Sequence, residues 1–346
     1  MSVAFPLVFW SALAGGLWFS RKQPVFWPLL ALALLLLFNQ VFTEGFFHVE
    51  VRDGHLYGTL IDILNQGAKV MLLALGMTLV IATGGVDLSV GAIMAIAGAV
   101  LAQRFVGAGW SPGLAVLAAL ALAVLAGAWN GLLVAYLRIQ PIVATLILMV
   151  AGRGIAQLIT DGQIITFENP TLVYLGNGFF LGLPFTLTLV LVMFGLTALL
   201  TRRTALGLFI EAVGDNETAS HFTGLPARQV KFLAYVFAGL CAGLAGLVAA
   251  SNIKCADANH AGLYLELDAI LAAVIGGTAL TGGRFYLAGS MIGALLIQTL
   301  TQTLYMRNVS ADIAPVPKAV VILAVCLLQS PKLRERLARF GKRRPA

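Results

Sequence analysis

An aspartate, a serine and two glycines stand in the middle of a long apolar stretch, in the motif TGGVDLSVG at 83–91. Side-chain oxygens of this kind accept hydrogen bonds from the free N–H groups at the start of a helix. The motif therefore predicts that Asp87 caps a helix that begins near Leu88, and Ser89 can also cap the resumed helix. An ionisable residue this close to an apolar span is also a functional candidate.

The motif has a counterpart 192 residues later, where GGTALTGG at 276–283 aligns with GGVDLSVG at 84–91. Both copies follow an apolar run and precede a helix rich in small residues, and we expect Thr281 to cap the second helix as Ser89 caps the first. Paired glycine-interrupted segments in two halves of a membrane protein are typical of discontinuous helices around a translocation path. We therefore predict an internal repeat with broken helices, whose free backbone lines a cavity or is buried in protein. The candidate pathway residues are Gly84, Gly85, Asp87, Ser89, Asn130, Gly276, Gly277 and Thr281.

Two further polar residues fall inside apolar runs. Asn130 lies near the middle of a predicted span and needs a hydrogen-bond partner there. Arg153 is expected to pair with Asp161, Glu168 or a backbone carbonyl rather than with a substrate. Small-residue pairs with G-x-x-x-G spacing predict close helix packing, at Gly127/Gly131, Gly239/Gly243 and Gly289/Gly293.

The amino-acid composition of the chain indicates the environment of these residues. Hydrophobic residues make up 60% of the 346-residue chain and charged residues only 11%, whereas soluble domains carry about 25% charged residues. Several apolar runs reach the roughly 20 residues that cross a bilayer as a helix. The sequence thus predicts an all-α polytopic membrane protein with about ten transmembrane helices. They are expected near 25–43, 61–82, 86–106, 113–137, 141–160, 184–200, 229–251, 264–280, 286–306 and 315–329.

Basic residues outnumber acidic ones, 22 against 15, and concentrate in one set of alternate loops and in the C-terminal tail. This asymmetry predicts that both ends of the chain lie in the cytoplasm. The membrane domain is expected at 25–330, with an inner loop at 201–228 and a basic cytoplasmic tail at 331–346. The N-terminal segment 1–24 is apolar enough for an extra helix, and it lacks the basic region that begins a signal peptide.

This chain is not expected to catalyse a reaction. It contains no G-x-x-x-x-G-K-[ST] motif, which cradles nucleotide phosphates. Its three cysteines show no paired spacing, and no histidine has a ligand-like partner at helical spacing, so no catalytic, cofactor or metal site is predicted. Buried carboxylates suited to a proton relay are also few, which argues against a proton-coupled carrier.

The inner loop contains a short amphipathic stretch. Asp215 or Asn216 can cap a helix over 217–222, and Pro226 follows it. A short helix along the membrane surface is a natural docking site for another protein. The candidate coupling residues are Glu211, Gly214, Asn216, Ala219 and Gly224.

Several stretches, in this order, resemble the permease subunits of bacterial ABC importers for monosaccharides, the ribose and galactofuranose group. They are LGMTLVIATGGVDLSVG (75–91), NGLLVAYLRIQPIVATLI (130–147), GRGIAQLITDGQ (152–163), ALGLFIEAVGDNETASHFTG (205–224) and AILAAVIGGTALTGG (269–283). Within that group, IKCADANHAGLYLELDAILA (253–272) and Phe285, where many sugar permeases have glycine, are similar to the galactofuranose type.

The resemblance implies a subunit of the bacterial inner membrane that pairs with itself or with a similar permease. Two separate ATPase subunits would dock on the 205–224 loops and hold the ATP. A periplasmic binding protein would deliver the sugar to outer loops, where Asp257, Asn259 and His260 are candidate contacts. Permeases for ribose, the autoinducer-2 sugar or a branched-chain amino acid stay open as alternatives, as do an ion-driven carrier and a passive channel.

Overall fold

The computed structural model describes residues 25–52, 54–310 and 312–329, and helices dominate it. Three two-stranded antiparallel sheets join them: β1 (Glu50–Arg52) with β2 (His55–Tyr57), β3 (Ile165–Thr166) with β6 (Cys255–Ala256), and β4 (Phe179–Phe180) with β5 (Leu183–Pro184). The helices are α1 (Phe26–Phe42), α2 (Thr59–Ala82), α3 (Val90–Ala102), α4 (Pro112–Gly131), α5 (Pro141–Ile159), α6 (Pro170–Asn177), α7 (Phe185–Arg203), α8 (Leu206–Asp215), α9 (Glu217–Phe222), α10 (Ala227–Ile253), α11 (Leu265–Ile275), α12 (Leu287–Met306) and α13 (Pro315–Gln329).

Seven helices in the described part of the chain are long and apolar enough to cross a membrane, namely α2, α3, α4, α5, α7, α10 and α12. π-helical turns at Gln103–Gly107 and Leu132–Tyr136 extend α3 and α4, and α3 reaches that length only with its extension. α1 and α13 are shorter apolar helices. The prediction of an all-α polytopic membrane protein is confirmed, with ten as an approximate count of helices. The segments 1–24 and 331–346 lie outside the described residues.

Two predicted helices are shorter than expected. α3 begins at Val90 rather than near 86, and α11 ends at Ile275 rather than near 280. The backbone has positive φ at Gly84 (+80°) and at Gly277 (+96°), a conformation that an α-helix cannot contain. Apolar composition extends through both glycine turns. Hydropathy alone therefore predicts a start of α3 that is too early and an end of α11 that is too late. The eleven residues of α11 span about 16 Å, roughly half of a 30 Å hydrocarbon core.

The two ends of the helical bundle differ in structure. At one end, which we call the hairpin face, the three small sheets gather: Leu56 N donates to Gly182 O (3.1 Å), and Asn177 Nδ2 donates to Ser251 O (2.8 Å) at the end of α10. The opposite end, which we call the turn face, carries α8, α9 and both glycine turns.

Glycines let α4 and α10 cross with their backbones in contact. A Cβ built on Gly127 would lie 2.5 Å from Tyr235 O, and one built on Gly239 would lie 2.6 Å from Ala123 O. Gly293 of α12 lies equally close to the backbone of Ala272 in α11. The close packing predicted from G-x-x-x-G spacing is therefore confirmed.

Candidate functional site

A buried polar cluster lies where the chain turns from α2 into α3. Asp87 Oδ1 accepts hydrogen bonds from Ser89 N (2.9 Å) and Ser89 Oγ (2.6 Å). Asn130 Nδ2 of α4 donates to Ser89 Oγ (2.7 Å) and, at 3.4 Å, to Asp87 Oδ1. All three residues are fully buried. The sequence therefore placed Asn130 correctly as a buried residue in need of a partner, although it did not identify the partner.

Asp87 was predicted to cap a helix that begins near Leu88. The helix begins at Val90 instead, and Asp87 accepts from the N–H of Ser89 at the N-cap position, one residue before α3. Ser89 occupies the N-cap position, but its hydroxyl donates to Asp87 and makes no capping bond to α3. Thr281 is exposed and lies six residues before Leu287, where α12 begins with Tyr286 as its N-cap. The cap roles predicted for Ser89 and Thr281 are therefore wrong. A buried carboxylate attracts the Ser89 hydroxyl more strongly than a backbone N–H does.

The polar cluster is rich in acceptors. Asp87 Oδ2 and Asn130 Oδ1 have no hydrogen-bond donor among the described residues, and none of the ion pairs of this part of the chain includes Asp87. Tyr235 of α10 covers the cluster, with its hydroxyl 3.5 Å from Val86 O. A Cβ on Gly85 would lie 2.5 Å from that hydroxyl, which explains the glycine at this position.

Four glycines form a backbone-to-backbone contact at the turn face, which we call the glycine junction: Gly84, Gly214, Gly282 and Gly283. Gly283 N donates to Ala82 O at the end of α2 (3.0 Å). A Cβ on Gly282 would lie 2.7 Å from Gly214 O and 3.0 Å from Gly84 Cα. The two copies of the repeated motif thus touch each other, and both touch α8 through Gly214.

The other glycines of the second copy have different surroundings. A Cβ on Gly276 would overlap the backbone of Gly289, so this glycine allows α11 and α12 to pack closely. Gly277 follows in the positive-φ turn, and the carbonyl oxygen of Thr281 lies 3.9 Å from a Cβ built on Gly84. Gly276 therefore lies beside α12, and Thr281 lies near the glycine junction.

The loop at the turn face is more helical than predicted. The expected helix over 217–222 is present as α9, and its cap is Asn216 rather than Asp215, because Asn216 Oδ1 accepts from Ala219 N (2.9 Å). An ion pair between Glu217 and Lys231 holds α9 to α10. Sequence reasoning missed α8, which precedes α9.

Solvent reaches most of the candidate coupling residues. Asn216, Ala219 and Gly224 are exposed, whereas Glu211 and Gly214 are half-buried. Phe222, at the end of α9, is 84% exposed. No hydropathy signal singles out Phe222, because its neighbours on both sides are polar or small.

At the hairpin face, Asp257, Asn259 and His260 form one turn. Asp257 Oδ1 accepts from Asn259 N (2.9 Å) and His260 N (3.3 Å), and Asp257 Oδ2 lies 2.7 Å from His260 Nδ1. Partial burial raises the pKa of the Asp257 carboxyl, but the hydrogen bonds from His260 and Asn259 outweigh it and hold the pKa below its usual range. Gln157 Nε2 of α5 donates to Asn259 Oδ1 (2.7 Å).

Arg153 of α5 anchors the same turn. Its Nη1 donates to Ala258 O (3.2 Å) and to Ala261 O (2.5 Å). Pairing with a backbone carbonyl, one of the predicted partners, is confirmed, and the partners come from the segment between β6 and α11. This segment is therefore fixed against α5.

Comparisons with known proteins agree with this architecture. Residues 59–328 match the family described as "Branched-chain amino acid transport system / permease component". The chain is 53% identical to a galactofuranose transporter permease of Escherichia coli (strain K12), over 90% of this chain and 92% of that protein. It is 40% identical to a fructose import permease of Bifidobacterium longum (92% and 91% covered) and 37% identical to a ribose import permease of E. coli (strain K12; 88% and 93%). No solved structure matches the chain.

Replacement of Asp87 tests the buried polar cluster. Asp87→Ala leaves the N–H and the hydroxyl of Ser89 without their acceptor, at a cost of about 1–3 kcal/mol. Asp87→Asn keeps an acceptor oxygen and adds a donor, so it should cost less. We expect the midpoint of thermal unfolding in detergent to fall clearly for D87A and little for D87N. Equal losses in the two variants would show that the charge, rather than the acceptor oxygen, is required.

Replacement of Gly214 tests the glycine junction. Alanine is favoured over glycine inside a helix by about 1 kcal/mol, but a Cβ on Gly214 would overlap Ala82 O. Gly214→Ala should therefore lower the unfolding midpoint. The matched control is Gly195→Ala in α7, where nothing lies within 4 Å of the added Cβ; this variant should be neutral or more stable. A Gly214→Ala variant as stable as the control would contradict the close contact.

Proposed function

The chain belongs to this family of transport-system permease components, and we propose that it forms the membrane pathway of an ATP-driven importer for a monosaccharide. It is a transport subunit rather than an enzyme, as its relatives are. The family description refers to amino acids, but the three relatives above are named for sugars. Extensive identity to the galactofuranose permease, at 53%, supports a galactofuranose-like substrate. Ribose, the autoinducer-2 sugar and a branched-chain amino acid are the alternatives.

We propose that the turn face lies in the cytoplasm and the hairpin face outside the inner membrane. The turn face carries Arg202 and Arg203 at the end of α7, Arg228 at the start of α10, and Arg138 in the short connection before α5. Short loops rich in arginine and lysine stay on the cytoplasmic side of bacterial membranes. Both chain termini are then cytoplasmic.

The observation that carries the proposal is the exposed Phe222 on a capped, anchored helix. A phenylalanine that is 84% exposed on a polar surface is typical of the aromatic anchors of protein interfaces. Beside it lies a cavity of about 400 Å³, lined in part by Arg138, His221 and Arg228. We therefore assign α9 and its surroundings, including Glu211, Asn216, Ala219 and Gly224, to the docking surface of a separate ATPase subunit, which holds the ATP.

The glycine junction connects this docking surface to the pathway. Gly214 lies in α8, next to α9, and contacts the backbone at Ala82 and Gly283. A displacement of α8 by the ATPase would therefore move the ends of both broken helices together. In this scheme Gly84, Gly85, Asp87, Ser89, Asn130, Gly276, Gly277 and Thr281 line or support the pathway.

The remaining partners follow from the same proposal. A periplasmic sugar-binding protein would dock on the hairpin face, where Asn259 and His260 are exposed beside Asp257. A second permease subunit, identical or similar, would complete the pathway. The turn that Asp257 closes presents a defined shape to the binding protein.

Reconstitution tests the function as a whole. Vesicles containing the chain, its ATPase subunits and its sugar-loaded binding protein should accumulate sugar only when ATP is present. Accumulation by the chain alone, driven by an ion gradient, would identify a secondary carrier instead. Passive equilibration without ATP would identify a channel.

A substitution at Phe222 tests the docking surface. Loss of an aromatic anchor costs about 2 kcal/mol or more at protein interfaces, so Phe222→Ala should weaken association with the ATPase by more than tenfold. The measurement is recovery of the ATPase on an affinity column that holds the permease. The matched control is Leu181→Ala, an 89% exposed residue at the hairpin face, which should bind the ATPase normally. Normal recovery with Phe222→Ala would contradict the docking role.

A further inference from the structure

A cavity of about 280 Å³ lies under the hairpin face. Residues of α2, α3 and α10 form its walls, and the segment 255–265 covers it. Its volume is just below the roughly 300–1,000 Å³ range of small-molecule sites. A cavity of this size suits a ligand with a single ring.

The lining of the cavity combines small residues with three polar side chains. Ala95 and Gly98 of α3 face Ala249 of α10, and Lys69 and His260 contribute polar groups together with Asp257. Lys69 Nζ donates to Gln66 Oε1 (2.6 Å), which is one of the three bonds that an ammonium group can donate. The cavity therefore offers hydrogen bonds beside an apolar wall, which also includes Met94, Ile253, Leu263 and Leu265.

The chemistry of these groups favours an uncharged polyol over a free amino acid. The zwitterion of an amino acid needs a carboxylate to hold its ammonium group. Asp257 already accepts two backbone N–H groups and lies against the His260 ring, so few of its lone pairs remain for the three N–H groups of a ligand ammonium. Sugar hydroxyls, which donate and accept, can use Lys69 and the remaining lone pairs without a counter-ion.

The cover of the cavity is held in place from three sides. Arg153 donates to the carbonyls of Ala258 and Ala261, and β6 pairs with β3. A Cβ on Gly262 would overlap Gly91 O, so the backbone of the cover touches the start of α3. The cavity is therefore a built feature of the fold.

The position of the cavity connects it to the polar cluster. Its wall residues 94–99 follow Val90 by four to nine positions, or about 6–14 Å along the axis of α3. α3 thus runs from the polar cluster past the cavity towards the hairpin face.

We propose that this cavity is the site at which the permease first holds the monosaccharide, with Lys69, Asp257 and His260 contacting its hydroxyl groups. The inference rests on the proposed import function and adds a location for the substrate inside the subunit. A sugar released at the hairpin face would enter beneath the 255–265 segment and leave along α3 when the cover and the glycine turns move.

Cys255 provides a native reporter because it lines the cavity and is half-exposed. The experiment uses a transport-competent variant in which Cys241 and Cys326 are replaced by alanine. Cys255 is labelled with a membrane-impermeant maleimide in the assembled transporter, with galactose, fructose, ribose or leucine present. We expect the sugar that drives uptake to slow labelling by about fivefold, by occupying the cavity. An unchanged rate with that sugar, or protection by leucine alone, would overturn the proposal.

A second pair of variants tests the same cavity through transport. Ala249→Leu places a larger side chain in the cavity and should lower ATP-dependent uptake by about tenfold. Ala121→Leu, on the exposed side of α4, is the matched control and should transport normally. Lys69→Met should raise the KM for uptake by about fivefold and leave kcat unchanged. It removes a contact that binds the sugar and leaves the later transport steps intact.

The outcomes separate the two proposals. Wild-type uptake together with normal uptake by Ala249→Leu would overturn the cavity assignment and leave the import function intact. Failure of the complete wild-type complex to accumulate any sugar with ATP would overturn the import function itself.

Discussion

Hydrocarbon supplies no hydrogen-bond partners, so each backbone group inside a membrane must find one within the protein. This chain interrupts its helices twice, between Ala82 and Val90 and between Ile275 and Leu287. The interruptions satisfy part of this demand through each other and through Asp87: Gly283 N donates to Ala82 O, and Ser89 N donates to Asp87. The buried carboxylate, the glycine-rich turns and their close contact are consequences of one requirement.

The same requirement explains how the functional features are distributed. Polar groups are concentrated where helices stop, at the polar cluster near Asp87 and in the turn that Arg153 holds at the hairpin face. Between these two places, small residues allow α3 and α10 to pack closely, and a cavity remains beside them. Polar groups therefore lie at the ends of these helices, and mostly small, apolar residues lie between them.

Sequence patterns revealed much of this organisation and missed what depends on tertiary contact. Long apolar runs predicted the spans. Asn216 indicated the start of α9, because capping is a local interaction that the sequence shows. Hydropathy does not distinguish a glycine turn buried in protein from a helix. The start of α3 and the end of α11 were therefore predicted wrongly. Ser89 was wrongly predicted to cap α3. The carboxylate of Asp87 competes for the Ser89 hydroxyl because both residues are buried, and the sequence does not show that burial. The meeting of Gly84, Gly214 and Gly282 joins three distant parts of the chain, and no periodicity encodes it.

The glycine junction consists of main-chain atoms, and main chain has no rotamers with which to absorb a displacement. A side-chain interface between α8 and the broken helices could yield by a change in a χ angle. Here, a shift of α8 by even a fraction of an ångström must reappear in the backbone near Ala82 or Gly283. The linkage is therefore rigid in both directions: a displacement of the broken helices reaches α8 as directly as a displacement of α8 reaches the broken helices.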